Sequence, residues 1–120
     1  MSESPLDIRF RNACATLEGL LQEVLAARER ARDDPGTWAG WSVSFNHRLR
    51  ATRSDLAIHI PPPEGADARL FPLYDAGVAI RDLRDACDRA LRGQPANISQ
   101  KRVEAERALR LAWDALHPKG

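Results

Sequence analysis

The sequence predicts an α+β fold, in which three amphipathic helices pack on one face of a small antiparallel β-hairpin, in the order α-β-β-α-α. Two observations predict it. Three segments carry apolar residues at helical spacing, whereas residues 41–60 alternate apolar and polar side chains with a period of two. The length of 120 residues, with 43% hydrophobic and 29% charged residues, predicts one globular domain over residues 1–120.

The first predicted helix covers residues 4–34. Ser4 is placed to cap it, and Pro5 fits its first turn, where an amide hydrogen would have no acceptor. The apolar residues of this segment share one side of a helix: Leu6, Phe10, Ala13, Leu17, Leu20, Leu21, Val24 and Ala31, with Cys14 at the edge. The residues from Asp33 to Gly36 end the helix.

The hairpin is predicted by the stretch WSVSFNHRLRATRSDLAIHI, residues 41–60. If residues 52–55 form its loop, Leu49 faces Ile58 and the apolar sets of both strands lie on one side. A helix is the alternative, because four apolar residues also share a helical arc: Phe45, Leu49, Leu56 and Ile60. That helix would leave three apolar residues on its opposite side: Val43, Ala51 and Ile58. The alternation therefore favours the hairpin.

A proline-rich connection is predicted over residues 61–73, and its end, residues 69–73, could add a short third strand. Two further helices are predicted over residues 74–92 and 99–116, and Gly93 ends the first of them. Many of the apolar residues are alanines, which bury little area each. A thin core is therefore expected, and burial of more surface in a homodimer would support it.

The polar side of the hairpin, together with its turn, carries the candidate nucleic-acid-binding residues: Arg48, Arg50 and His59 on the strands and Arg53 in the turn. A two-stranded ribbon with a basic outer face can enter a major groove or lie along phosphates. The alternative is purely structural, since a sheet with one buried face must show polar residues on the other. The net charge of +1 supplies no long-range positive field.

Four other residues are candidates for binding a partner. Trp38 and Trp41 flank the start of the hairpin, while Ile8 and Val103 point away from the predicted buried sides of their helices. The first strand is also longer than the second, so a second copy of the chain could add a strand to it. These features predict a non-catalytic protein–protein interaction module that self-associates, with nucleic-acid binding as the alternative.

No catalytic, cofactor or metal site is predicted. The sequence has no zinc-ligand pattern and no HExxH motif, and Asp82, Asp85 and Asp88 alternate with arginines as in a solvated salt-bridge face. Cys14 and Cys87 fall on apolar helical sides, which predicts buried, reduced thiols in a cytoplasmic protein. No membrane segment is expected, and the richness in arginine and alanine is typical of a GC-rich bacterial genome.

Overall fold

The structure, a computed structural model, describes residues 5–55, 65 and 67–116, and every element in these ranges is a helix. The helices are α1 (Pro5–Asp33), α2 (Gly36–Asp55), α3 (Leu70–Leu91) and α4 (Ile98–Leu116). They run alternately up and down in a bundle that measures 49 × 26 × 24 Å. The predicted α+β fold is therefore wrong, and the chain forms a helical bundle.

The predicted first strand and hairpin loop both lie within α2. Trp38, Trp41, Phe45 and Leu49 are spaced three or four residues apart, so a helix gathers them on one side. On that side Trp38 is 7% exposed, Phe45 0% and Leu49 4%, whereas Val43 on the opposite side is 59% exposed. The helical alternative is thus correct for residues 41–55. The predicted second strand, at residues 56–60, lies outside the described residues.

The helix prevails because it brings Trp38 into the same buried side as Phe45 and Leu49. Burying one large apolar side chain stabilises a fold by about 1.5–3 kcal/mol. Leaving Val43 in solvent loses the burial free energy of at most one such side chain. A helix also satisfies its own backbone hydrogen bonds, whereas an isolated two-stranded hairpin is marginal in water.

The start of α3 replaces the third strand expected at residues 69–73. Asp67 organises this start, because its backbone carbonyl accepts the Leu70 amide at 2.9 Å and its carboxylate accepts the Arg69 amide at 3.0 Å. Pro72 lies in the first turn of α3, where an amide hydrogen would have no acceptor within the helix. The connection that the sequence predicts over 61–73 therefore ends before residue 70.

Helix α1 contacts each of the other three helices. Its buried residues recur at intervals of three or four from Phe10 to Ala31, so that it lines the core over most of its length. At the start of α3, the guanidinium carbon of Arg69 lies 4.4 Å from the centre of the Phe10 ring, and the same guanidinium pairs with Asp7. This contact holds the first turns of α1 and α3 side by side.

Local signals set the link between α3 and α4. Gly93 has φ +75°, and the amides of Gly93 and Gln94 donate to the carbonyls of Ala90 and Arg89 at 3.1 and 2.9 Å, which is the Schellman arrangement. Asn97 then caps α4, since its side-chain oxygen accepts the Gln100 amide at 3.2 Å. The short link makes the two helices antiparallel.

Among the described helices, α3 and α4 share the most extensive contact, and alanines contribute to it. Ala76 of α3 and Ala105 of α4 are each 0% exposed, and Ala112 is 1% exposed. Small side chains at a helix interface let the two backbones approach each other. Within the described ranges, no helix is both long enough and apolar enough to cross a membrane.

Replacing Gly19 or Gly40 by alanine is expected to raise the free energy of unfolding by about 0.5–1 kcal/mol each. A Cβ at either position would meet no other atom within 4 Å, and alanine loses less backbone entropy than glycine in a helix. Urea denaturation followed by circular dichroism measures the change. Gly93→Ala is the control, and it is expected to destabilise because φ at this position is +75°. A destabilising Gly40→Ala would contradict a helical α2.

Candidate functional site

Trp38 and Trp41, which the sequence predicts as partner-binding residues, instead form contacts within the bundle. The ring centres of Trp38 and Trp41 are 5.0 Å apart, and those of Trp41 and Phe45 are 5.1 Å apart. The indole N–H of Trp38 donates to Asp88 Oδ1 of α3 at 3.0 Å, and that of Trp41 donates to Glu23 Oε1 of α1 at 3.3 Å. These contacts join α2 to its two neighbours, so Trp38, which is buried, offers no surface to a partner.

Arg48 forms an ion pair within the bundle. Its guanidinium donates from Nη2 to Glu23 Oε1 at 2.7 Å and from Nη1 to Glu23 Oε2. The hydrogen bond from Arg48 holds the pKa of Glu23 below its ordinary value, and the same bond raises the pKa of Arg48. The charge of Arg48 is therefore largely compensated by Glu23.

The other predicted nucleic-acid-binding residues do not share a face with Arg48. Arg50 is exposed on the outer side of α2, whereas the Arg53 guanidinium turns toward Gly77 of α3. His59 lies outside the described residues. Residues 41–55 are helical, so they cannot supply the first strand of a basic two-stranded ribbon. The ribbon is therefore no longer an argument for nucleic-acid binding by these residues, and the binding itself stays a prediction.

Ile8 and Val103 lie apart. Ile8 is 39% exposed on α1 and Val103 is 54% exposed on α4. The two helices are antiparallel, and Leu21 of α1 lies across one shallow groove from Leu109 of α4. This register places Ile8 and Val103 toward opposite ends of the helix pair. Ile8 and Val103 therefore do not form a shared apolar patch for a partner.

Polar residues of α2 and α3 face each other along a surface called here the α2–α3 seam. The sequence pattern did not predict this surface. On α2 its residues are Trp38, Ser42, Phe45, Leu49 and Arg53. On α3 its residues are Tyr74, Gly77, Arg81, Arg84 and Asp88. In both helices the members are three or four residues apart and therefore share one side. The contacts of Trp38 with Asp88 and of Arg53 with Gly77 fix the antiparallel register.

Unsatisfied polar atoms concentrate in this seam. Among the described residues, the buried side-chain atoms without a hydrogen-bond partner are Ser42 Oγ, Arg53 Nε, Arg53 Nη2 and Arg84 Nε. All four belong to the α2–α3 seam. A buried donor without a partner costs about 1–3 kcal/mol, and such groups are rare in native proteins. The seam therefore departs from the ordinary rules of core packing.

The spacing of charged residues in α3 partly indicated the α2–α3 seam. Arg81, Arg84 and Asp88 alternate with other charges and suggest a solvated face, yet they also recur at helical spacing with Gly77. The side chain of Arg84 is only 20% exposed and pairs with Asp85, while Asp88 also accepts Arg92 Nε at 3.1 Å. Part of the predicted salt-bridge face is thus turned toward α2.

An apolar groove, called here the α3–α4 groove, lies between α3 and α4 and has a volume of about 500 Å³. Its lining combines apolar and charged residues: Pro72, Asp75, Glu104, Arg107, Ala108, Leu111, Asp114 and Ala115. Leu111 is 56% exposed, and Phe71, next to Pro72, is 41% exposed. No sequence signal brings these residues together, because they come from two different helices and meet only when α3 packs against α4.

Both cysteines are free and buried, as the sequence predicts. Burial raises the pKa of the Cys14 thiol to about 11 and also raises that of Cys87. A reactive cysteine needs a low pKa and access to solvent, and neither thiol has them. Within the described residues, no three histidine, cysteine, aspartate or glutamate side chains group as metal ligands would.

Comparisons with protein-family models, with curated proteins and with solved structures find no match for this chain. Its function must therefore be argued from the two features just described, the α2–α3 seam and the α3–α4 groove.

Glu23→Gln is expected to lower the free energy of unfolding by about 1 kcal/mol at neutral pH, because the Arg48 charge loses its partner. The pKa of Glu23 is lowered in the folded protein. Its contribution is therefore present above the unfolded-state pKa and is lost as the pH falls through the folded-state pKa. Urea denaturation across the acidic range should show a steeper loss for the unmodified protein than for the variant.

Glu29→Gln is the matched control for that measurement. Glu29 pairs with Arg32 on the surface of α1 at 3.5 Å, and its side chain is 63% exposed. Exposed pairs of this kind contribute little, so the control should stay within about 0.5 kcal/mol of the unmodified protein. Equal effects of the two substitutions would contradict a stabilising role for the contact between Glu23 and Arg48.

Alkylation of Cys14 and Cys87 by iodoacetamide is expected to require unfolding. Both thiols are buried, and the raised pKa values leave little thiolate at mildly alkaline pH. The labelling rate, followed by mass spectrometry, should rise with the urea-dependent fraction of unfolded protein. Rapid labelling of both thiols in the absence of urea would show that the interior is open to the reagent.

Proposed function

We propose that the protein is a non-catalytic protein–protein interaction module, which holds an apolar and positively charged helical segment of its partner in the α3–α4 groove. The observation that carries the proposal is the groove itself. It is about 500 Å³ in volume, and Leu111 at its edge leaves 56% of its surface in solvent. Exposed apolar surface rimmed by polar residues is typical of protein-binding sites.

The shape of the groove supports a helix as the occupant. Ala108 and Ala115 are two turns apart on α4, and Pro72 faces them from α3. Small and cyclic side chains leave space between the two helices, while Leu111 stands beside that space. A further helix can place its own apolar side there, with anchors three or four residues apart. A small molecule is a weaker fit, since small-molecule sites enclose most of their ligand.

The charges around the groove support a basic partner. Asp75, Glu104 and Asp114 place three carboxylates at its edge, against the guanidinium of Arg107 and the ammonium of Lys101, which lies 3.5 Å from Glu104. A partner with lysine or arginine beside its apolar anchors would complement this rim, and the complementarity would favour the correct partner and speed association. A partner with acidic flanks would be repelled.

The cytoplasm is the proposed location, and the two buried free thiols support it, because disulfides are rare in reducing compartments. Self-association stays a prediction of the sequence. A second copy of the chain is a competing occupant of the α3–α4 groove, and the mass of the protein in solution tests it. If Leu111→Glu converted a dimer to a monomer, the occupant would be a second copy and the proposed basic partner would be wrong.

Leu111→Glu is expected to weaken binding of a basic amphipathic peptide at least tenfold, since it places a charge on the apolar wall and adds to the acidic rim. The probe is a labelled synthetic helix with leucines at helical spacing and lysines beside them. Fluorescence anisotropy measures its affinity for the full chain. The same peptide with glutamates in place of the lysines should bind much more weakly.

Val43→Glu is the matched control for this substitution. Val43 is 59% exposed on the outer side of α2, compared with 56% for Leu111, so both variants add one charge at an equally exposed apolar position. Val43→Glu should leave the affinity for the lysine peptide unchanged. The proposal fails if both variants bind alike, or if the lysine and glutamate peptides bind equally well.

A further inference from the structure

Two hydrogen-bond donors of the Arg53 side chain indicate that this residue binds a ligand. The atoms Nε and Nη2 are buried and have no hydrogen-bond partner among the described residues. In a guanidinium group these two nitrogens form one edge, from which two parallel N–H bonds point the same way. That edge matches two oxygens of a phosphate or carboxylate group, which arginine binds in a bidentate manner.

In the unliganded protein this edge of Arg53 packs against Gly77 of α3. A Cβ built on Gly77 of α3 would lie 3.6 Å from Arg53 Nη2 and 3.7 Å from Arg53 Nε. Gly77 thus gives the guanidinium a face of α3 without a side chain. Tyr74 and Arg81 lie one turn before and one turn after Gly77, on the same side of the helix. Burial lowers the pKa of Arg53, and the charge of Arg81 lowers it further, so the positive charges act on each other.

The described acids near the seam do not neutralise this pair. Asp85 pairs with Arg84, and Asp88 accepts from Trp38 and from Arg92. Asp82, the acid nearest to Arg81 in the described pairs, is 3.9 Å from it, the longest of the ion-pair distances. Two arginines close together in a partly buried seam therefore carry positive charge that a ligand of opposite charge would offset.

We propose that the α2–α3 seam binds a phosphate group, which Arg53 holds through the paired donors Nε and Nη2 and Arg81 holds through its second positive charge. A carboxylate carries a single negative charge and matches one guanidinium. A phosphate group, with nearly two charges at neutral pH, matches both arginines. Tyr74 adds a hydroxyl beside the site. The ligand class is thus inorganic phosphate or a small phosphorylated molecule, and this site is separate from the α3–α4 groove.

Access to the site follows from the fold. Arg53 lies two residues before the last residue of α2, and the backbones of α2 and α3 approach each other less closely than those of the packed helix pairs. The half-buried side chain of Arg81, with 45% of its surface exposed, leads from the seam to solvent. Binding requires the covered edge of Arg53 to turn toward this opening, a side-chain movement rather than a change of fold.

The test is thermal unfolding of the full chain in sodium phosphate and in sodium chloride at equal ionic strength. A ligand that binds the folded protein raises Tm with its concentration. Phosphate is expected to raise the Tm of the unmodified protein relative to chloride, with saturation. Arg53→Met and Arg81→Gln are each expected to lose the saturable part of this rise. Phosphate also stabilises proteins in general, but that effect does not saturate and should persist in both variants.

Arg50→Met is the matched control, because Arg50 lies on the same helix and is exposed on its outer side. It should keep the full saturable rise. If Arg53→Met fails to fold, Arg81→Gln decides the test, since that side chain is 45% exposed and outside the core. Backbone amide shifts of Gly77 and Arg81 in NMR spectra during a phosphate titration give a second readout.

Two results would overturn the proposal. One is an equal Tm for the unmodified protein in phosphate and in chloride. The other is a phosphate response that is the same in Arg50→Met, Arg53→Met and Arg81→Gln. Neither result bears on the α3–α4 groove, because the peptide experiments use different residues and a different ligand.

Discussion

The burial of one side of α1 is the constraint on which the rest of the structure depends. α1 contacts each of the other three helices, and its apolar residues from Phe10 to Ala31 run along the core. Each neighbour must therefore present an apolar side to it. The buried side of α2 holds Trp38, Phe45 and Leu49, of which Trp38 and Leu49 also contact α3, and this side exists only if the segment is helical. The requirement to cover the apolar side of α1 therefore favours a helix over a strand in α2.

The two sides of α3 show different solutions to packing. Toward α4, fully buried alanines such as Ala76 and Ala105 allow close backbone contact. Toward α2, Arg84 of α3 and the residues Ser42 and Arg53 of α2 occupy positions that core residues would normally hold, and several of their atoms lack partners among the described residues. The first side stabilises the bundle. The second costs stability, and a ligand that completes those hydrogen bonds would recover it.

Local chemistry made the start of α1 and the end of α3 predictable. Pro5 suits a first turn, Gly93 suits a left-handed helix end, and both act within a few residues of the sequence. The candidate sites were less predictable. Arg53 was named from the sequence for the outer face of a hairpin, but the structure turns it toward Gly77. The groove around Leu111 depends on how α3 lies against α4, and no local pattern encodes that arrangement.

The sequence by itself determined three amphipathic helices, the start of α1, the end of α3 and the burial of both cysteines. The tertiary structure alone decided the state of residues 41–55. Trp41, Phe45 and Leu49 are spaced by four residues, which is both a multiple of the strand period of two and close to one helical turn. The apolar pattern of these three residues therefore fits a strand and a helix equally well. Only packing against α1, together with the burial of Trp38, separates the two, and that packing comes from residues elsewhere in the chain.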